Sequence, residues 1–235
     1  NGNIEPQAGY DVTMTIDVNM QDVTEDALLK TLQNVNADNG TAIVMEVKTG
    51  KIKAIANLTY RNGINNYIEY YNYAVGANTE PGSTFKLVTM AALIEDGYIK
   101  NVLKDTVNIE GGKKKFADRN MRDVHHFQND VITVKEAFAK EWSLVSLPWM
   151  STGYEMQYSP LQLLTFYNAV ANNGKMMKPY LVSSIDELGK PVEKFSPIVI
   201  DKHILNEGTI SQLKILLESV FEEGSAVNLQ AKNFK

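Results

Sequence analysis

The chain has 235 residues, 44% of them hydrophobic, enough for one large packed domain or two small ones. Its net charge of -5 argues against a nucleic-acid partner, because phosphate binding needs a concentrated basic surface. The absence of cysteine excludes disulfides and thiolate metal sites, and no window approaches the about 18 apolar residues of a membrane helix.

Residues 1–10 read as a linker, without the charged and apolar regions of a signal peptide. In "YDVTMTIDV" Val12, Met14 and Ile16 alternate with polar neighbours, predicting a half-buried strand. Met20, Val23, Ala27, Leu28, Leu32 and Val35 follow at helical spacing and predict a helix over 20–35, closed by "NADNG". "TAIVMEV" and "KIKAIANL" then read as a hairpin around Lys48, Thr49 and Gly50. Residues 58–79, polar and rich in Asn and Tyr, read as a long irregular stretch.

A buried helix is expected from Phe85, Leu87, Val88, Ala91, Ala92 and Ile94, ending near Asp96 and Gly97. The basic run at Lys113, Lys114 and Lys115 reads as a solvated loop, and "DTVNIE" as a short strand. "TVKEAFAK" predicts a helix capped by Thr133, with Glu136 completing a capping box. "SPLQLLTFYNAVANNGK" predicts another, with Pro160 in its first turn and Asn173-Gly174 at its end. Two strands around Leu188-Gly189 and a helix in "NEGTISQLKILLESVFEEG" complete the chain. Strands from both ends flanking a helical middle imply an α+β domain over 11–235, an antiparallel sheet flanked by helices with a helical subdomain.

The chemistry concentrates in "EPGSTFK". Ser83 and Lys86 are three residues apart, so a helix would put them on one face. A serine hydroxyl needs a base to take its proton, and a lysine can serve when it is neutral, a form that burial or nearby positive charge favours. A helix N-terminus also offers free N–H groups to an oxyanion, and Pro81-Gly82 lets the backbone turn sharply beside it. The plain alternative is that Ser83 is a helix N-cap and Lys86 an ordinary helix residue. A second Ser-x-x-Lys at Ser211 and Lys214 lies inside a helix beside Leu213, Ile215 and Leu216, where no catalytic role is expected. Spacing alone leaves both readings of Ser83 open.

"PGSTFKLVTMAALIEDG" resembles the active-site segment of the penicillin-binding proteins, the serine transpeptidases that cross-link peptidoglycan. "TMTIDVNMQDVTEDAL", "GTAIVMEVKTGKIKAIAN", "NYAVGANTEPGSTFK", "ITVKEAFAK" and "GYEMQYSPLQLLTFYNAVANNGKMMKPYLV" are similar, in the same order, to successive parts of their transpeptidase domain. The resemblance, closest to the monofunctional class B and its division-associated branch, implies the fold shared with the serine β-lactamases. It implies Ser83 as the acylated nucleophile and Lys86 as its base, acting without metal or cofactor on the D-alanyl-D-alanine end of a stem peptide. β-Lactams would acylate the same serine. The implied location is the extracytoplasmic face of a bacterial membrane, reached through an anchoring helix outside this chain. The implied partners are a membrane glycan polymerase and divisome proteins.

The sequence departs from the family in two places. None of its serines is followed by Asn at the second position, so the family's Ser-x-Asn motif is missing, and the text breaks at Lys140/Glu141 where that motif is expected. Ser143 and Ser146 read as loop serines and do not replace it. The third motif, Lys-Thr-Gly, should follow the nucleophile on a strand, whereas Lys48, Thr49 and Gly50 precede it in a turn. The closing "EEGSAVNLQAKNFK" resembles the run-up to that strand. These departures keep two alternatives open: a non-catalytic binding or scaffold domain of the same fold, and a β-lactamase or β-lactam sensor. The adjacent His125 and His126, with His203, lack metal-ligand spacing, and Trp142, Trp149 and Tyr154 read as packing residues.

Overall fold

The computed structural model describes residues 9–109, 113–116, 119–122, 129–140 and 156–227. The chain forms two compact units, Asn1–Ala77 with Ser159–Lys202, and Asn78–Tyr158 with His203–Lys235.

In the first unit, helix α1 (Val18–Val35) begins where the Asp17 side chain accepts from the Met20 N–H. It ends at Asn36, whose φ of 52° is the left-handed stop that Asn tolerates. Strands β2 (Asn39–Met45) and β3 (Ile52–Arg61) form the expected hairpin. Leu28 and Leu32 of α1 pack on Ala56 and Leu58 of β3. The small Ala54 and Ala56, 0% and 2% exposed, let helix and sheet approach closely on the buried face of β3.

The stretch 58–79 is more regular than its composition suggests. Strand β3 runs on to Arg61, β4 (Asn66–Ile68) pairs back onto it, and a short helix α2 (Tyr73–Gly76) follows. The tyrosines supply the order: Tyr60 and Tyr67 pack edge to face at 5.2 Å, and the Tyr67 hydroxyl donates to the Ala37 carbonyl at 2.7 Å. Asn57, buried in β3, accepts from the Ala74 N–H and so fixes α2.

Strand β1 (Asp11–Met14) pairs antiparallel with β10 (Val182–Glu187), which pairs with β11 (Lys190–Lys194) around the positive-φ turn Leu188-Gly189. The expectation that β1 is half-buried fails, since Val12 is 58% and Met14 50% exposed. Alternation reports which residues share a face of a strand; it does not say whether anything covers that face. Helix α5 (Pro160–Ala171) starts with a Ser159/Gln162 capping box and ends at Asn173 and Gly174, both at positive φ. Strands β9 (Met176–Met177) and β12 (Val199–Asp201) pair beyond it.

The second unit is mainly helical. A 3-10 turn (Gly82–Phe85) runs directly into α3 (Lys86–Glu95). Strands β5 (Thr106–Asn108) and β8 (Val131–Thr133) pair, and β8 leads into α4 (Val134–Ala139) through the expected Thr133/Glu136 capping box. The run at Lys113–Lys115 is not a loop: β6 (Lys113–Phe116) pairs with β7 (Arg119–Arg122). Helix α6 (Glu207–Glu222) packs against α3 and α4 with Leu213 and Leu216 fully buried. At its end a Cβ on Gly224 would meet the Ala139 carbonyl oxygen at 2.3 Å, so only glycine allows the ends of α4 and α6 to come this close. All named strand pairs are antiparallel, and the architecture is the expected α+β.

Candidate active site

Ser83 sits in the 3-10 turn and Lys86 is the first residue of α3. The Lys86 N–H donates to the Ser83 carbonyl, closing one i to i+3 turn. With three residues per turn, side chains at i and i+3 eclipse, so the two Cβ atoms stand one above the other more directly than α-geometry would place them. Their surroundings differ sharply. Ser83 is exposed, whereas Lys86 is buried, with 7% of its surface accessible. Lysine is almost never so buried without a specific interaction.

The plain N-cap reading of Ser83 does not match this geometry. The residue at the cap of the 3-10 turn is Pro81, that at the cap of α3 is Phe85, and neither start has a side-chain cap bond. Gly82 takes φ +57°, a left-handed value that a side chain would resist, and among the described residues nothing lies within 4 Å of where its Cβ would be. The glycine therefore serves the backbone turn and leaves open space beside Ser83. Within the turn the Thr84 hydroxyl donates to the Pro81 carbonyl at 2.5 Å.

The turn is held from outside by Tyr158. Thr79 and Tyr158 form an isolated antiparallel bridge, each N–H donating to the other's carbonyl at 3.2 Å. The Tyr158 ring also stacks on Phe85, with centroids 5.8 Å apart and planes 17° from parallel. Sequence reasoning missed Tyr158. It lies 75 positions beyond Ser83, and no local spacing signals the contact.

The second Ser-x-x-Lys has a different environment. Ser211 is inside α6, its hydroxyl donating to the Glu207 carbonyl at 2.9 Å, the usual back-bond of a helical serine. Lys48, Thr49 and Gly50 form the β2–β3 turn. There the Thr49 hydroxyl donates to the Glu46 carboxylate, and Gly50 has φ +79° with the Lys178 carbonyl oxygen 2.6 Å from its would-be Cβ. His125, His126, Trp142, Ser143, Ser146, Trp149, Tyr154 and the Lys140/Glu141 junction lie outside the described residues, wholly or on one side.

The family model of the penicillin-binding protein transpeptidase domain matches residues 40–147 and 139–234. The chain belongs to this family. The match comes in two segments that meet at 139–147, where the sequence breaks from its expected course. Similar curated proteins include "Probable peptidoglycan D,D-transpeptidase PenA" of Neisseria gonorrhoeae, 24% identical over 267 residues and covering 94% of this chain. "Stage V sporulation protein D" of Bacillus subtilis (strain 168) is 23% identical over 284 residues, covering 98%. The chain spans 44% of the length of each. Both alignments are longer than the 235-residue chain, so these relatives carry several dozen internal positions that have no counterpart here.

The fold has the same relatives. The D,D-transpeptidase domain of a peptidoglycan glycosyltransferase from Eggerthella lenta superposes with a TM-score of 0.77 at 18% identity, covering 99% of this chain and 71% of that one. Penicillin-binding protein A from M. tuberculosis, solved as an imipenem acyl-enzyme complex, gives 0.75 at 17%, covering 91% and 64%. At these identities the structures establish the fold, the penicillin-binding-protein transpeptidase architecture read from the sequence. Membership of the class B penicillin-binding proteins is likewise upheld.

Proposed function

We propose that the chain is a peptidoglycan D,D-transpeptidase working through an acyl-serine, with Ser83 as nucleophile and Lys86 as its base. The observation that carries this is the 3-10 turn that sets an exposed serine three residues before a buried lysine, in a chain of the transpeptidase family. Ser83 Oγ attacks the carbonyl between the two terminal D-alanines of a stem peptide, its proton passing to the Lys86 amine. The C–N bond then breaks and the departing D-alanine takes that proton. A neighbouring stem's amine attacks the acyl-serine next, forming the new amide and returning a proton to Oγ.

The chain's own features support each part. Burial takes the Lys86 amine out of bulk water, as a lysine base requires. The first turn of a helical stretch leaves backbone N–H groups for the oxyanion, and the open space at Gly82 admits the acyl group. β-Lactams, as mimics of the D-alanyl-D-alanine end, acylate the same serine. Work on this substrate belongs outside the cytoplasmic membrane. The division-type relationship read from "YSPLQLLTFYNAVANNGK" assigns the protein to septal synthesis, with a glycan polymerase and divisome proteins as partners. No helix among the described residues is long and apolar enough to cross a membrane, so the proposed anchor lies outside them.

A second reading, a non-catalytic scaffold of the same fold, is favoured by the absence of any Ser-x-Asn among the chain's serines. One experiment separates the two. The protein is incubated with a synthetic pentapeptide ending in D-alanyl-D-alanine and with an isotopically labelled D-alanine as acceptor. Release of the terminal residue and incorporation of label, both lost in Ser83→Ala, is expected. No release from the wild-type protein would leave the scaffold reading standing.

A further inference from the structure

We infer that Tyr158 is a positioning residue for the Ser83 nucleophile, clamping the 3-10 turn from both sides. The inference rests on the reading of Ser83 as nucleophile. Two contacts of different kinds converge on this one residue. Its backbone is locked to Thr79, four residues before Ser83, by a reciprocal pair of 3.2 Å hydrogen bonds. Its ring is stacked on Phe85, two residues after Ser83.

The segment between these anchor points holds an internal bond from the Thr84 hydroxyl to the Pro81 carbonyl, but its backbone is unusual at Pro81 and Gly82. Pro81 has no N–H to donate, Gly82 sits at φ +57° with open space around it, and neither helical start has a side-chain cap. Glycine is the residue most free to leave such a conformation. Without an external clamp, the turn that stacks Ser83 over Lys86 would compete with ordinary helix and extended alternatives. Displacing a reacting atom by about 1 Å can cost about 10²-fold in rate, so a residue that never touches substrate can still set the rate of acylation.

Among the described residues, the contacts of Tyr158 are made by its ring and its backbone. Neither of the Tyr158 contacts described uses its phenolic oxygen. Tyr158→Phe keeps both contacts, and Tyr158→Leu keeps an apolar side chain and the backbone bridge while removing the stack. Tyr158→Leu also avoids the void that alanine would leave and is the safer variant for folding.

The test follows benzylpenicillin acylation by intact mass against time and drug concentration, separating reversible binding from the acylation step. Hydrogen–deuterium exchange of the peptides covering 79–88 and α6 is measured on the same proteins. Tyr158→Phe is expected to acylate at the wild-type rate. In Tyr158→Leu the acylation step slows about 10-fold to 10²-fold with reversible binding unchanged, and exchange rises in 79–88 but not in α6. Because the ring acts through Phe85, Tyr158→Leu has no further effect in a Phe85→Leu background. Wild-type acylation and unaltered exchange in Tyr158→Leu would overturn the inference, as would an equal loss in Tyr158→Phe. If the wild-type protein takes up no benzylpenicillin, the proposed function is refuted. Exchange then decides the clamp alone, supporting it if 79–88 is loosened and overturning it if not.

Discussion

The chain carries two Ser-x-x-Lys pairs in one unit, and the structure treats them oppositely. At Ser211 and Lys214 the helix begins with a well-made cap, Asn206 accepting from the Thr209 N–H at 3.1 Å and bonding Glu95 through its own amide. The Ser211 hydroxyl is turned back onto the helix carbonyl of Glu207. At Ser83 and Lys86 the helical stretch starts without a side-chain cap, through a left-handed glycine, with the serine exposed and the lysine buried. The same spacing is thus a stable surface feature in one place and a candidate catalytic pair in the other. The surroundings that decide between them are the backbone class of the turn and the burial of the lysine. A regular, capped helix start satisfies its own polar groups; an irregular one leaves them available to a substrate.

The largest expected difference is chemical. Lys86→Ala should slow β-lactam acylation by about 10²- to 10⁴-fold, the range for loss of a general base, whereas Lys214→Ala should leave it unchanged. Equal effects of the two substitutions would dissolve the distinction. Next comes a pair of glycines whose alanine variants should have opposite signs. Gly82→Ala forces a side chain into φ +57° and should cost about 1–2 kcal/mol or remodel the turn, seen as slower acylation and a lower urea midpoint. Gly208, in the first turn of α6, has no positive φ and only an ordinary 3.4 Å contact, so Gly208→Ala should stabilise by about 0.4–1 kcal/mol.

Why the sequence exposed some of this and concealed the rest can be read from these residues. Local signals carried over well. The capping box at Thr133 and Glu136, the Asn173-Gly174 stop and the Leu188-Gly189 turn all depend on residues a few positions apart, and all appear where their chemistry demands. The 3-10 character of residues 82–85 was not legible, because a serine before an apolar run reads equally as the cap of an ordinary helix. Nor was the exposure of β1, which depends on what lies over its face. The order within 58–79 comes from tyrosine contacts across strands, and the Tyr158 clamp from contacts to Thr79 and Phe85 far away in the sequence; neither has a local signature. Ser83 and Lys86 were singled out through the resemblance to a family; their spacing is shared by Ser211 and Lys214, which only a place inside a helix set apart.

Smaller effects sharpen the contrast between capped and uncapped helix starts. Asn206→Ala removes the α6 cap and should cost about 1 kcal/mol by urea denaturation without altering acylation. In α4, the Thr133 N–H and hydroxyl both donate to the Glu136 carboxylate at 2.9 Å and hold its pKa below the ordinary glutamate value. A depressed folded-state pKa contributes stability that is present above the unfolded value, about 4.3, and lost as the pH falls through the folded value. Stability should therefore drop on acidification below about pH 4.3 less steeply in Glu136→Gln than in the wild-type protein. A steeper fall in the variant would contradict the assignment.

The most direct test of the central claim is the intact mass of the protein before and after incubation with benzylpenicillin, followed by peptide mapping. The account predicts a gain of one benzylpenicillin on Ser83, stable enough to map, absent from Ser83→Ala and untouched by Ser211→Ala. No adduct, or an adduct on any other serine, would contradict it.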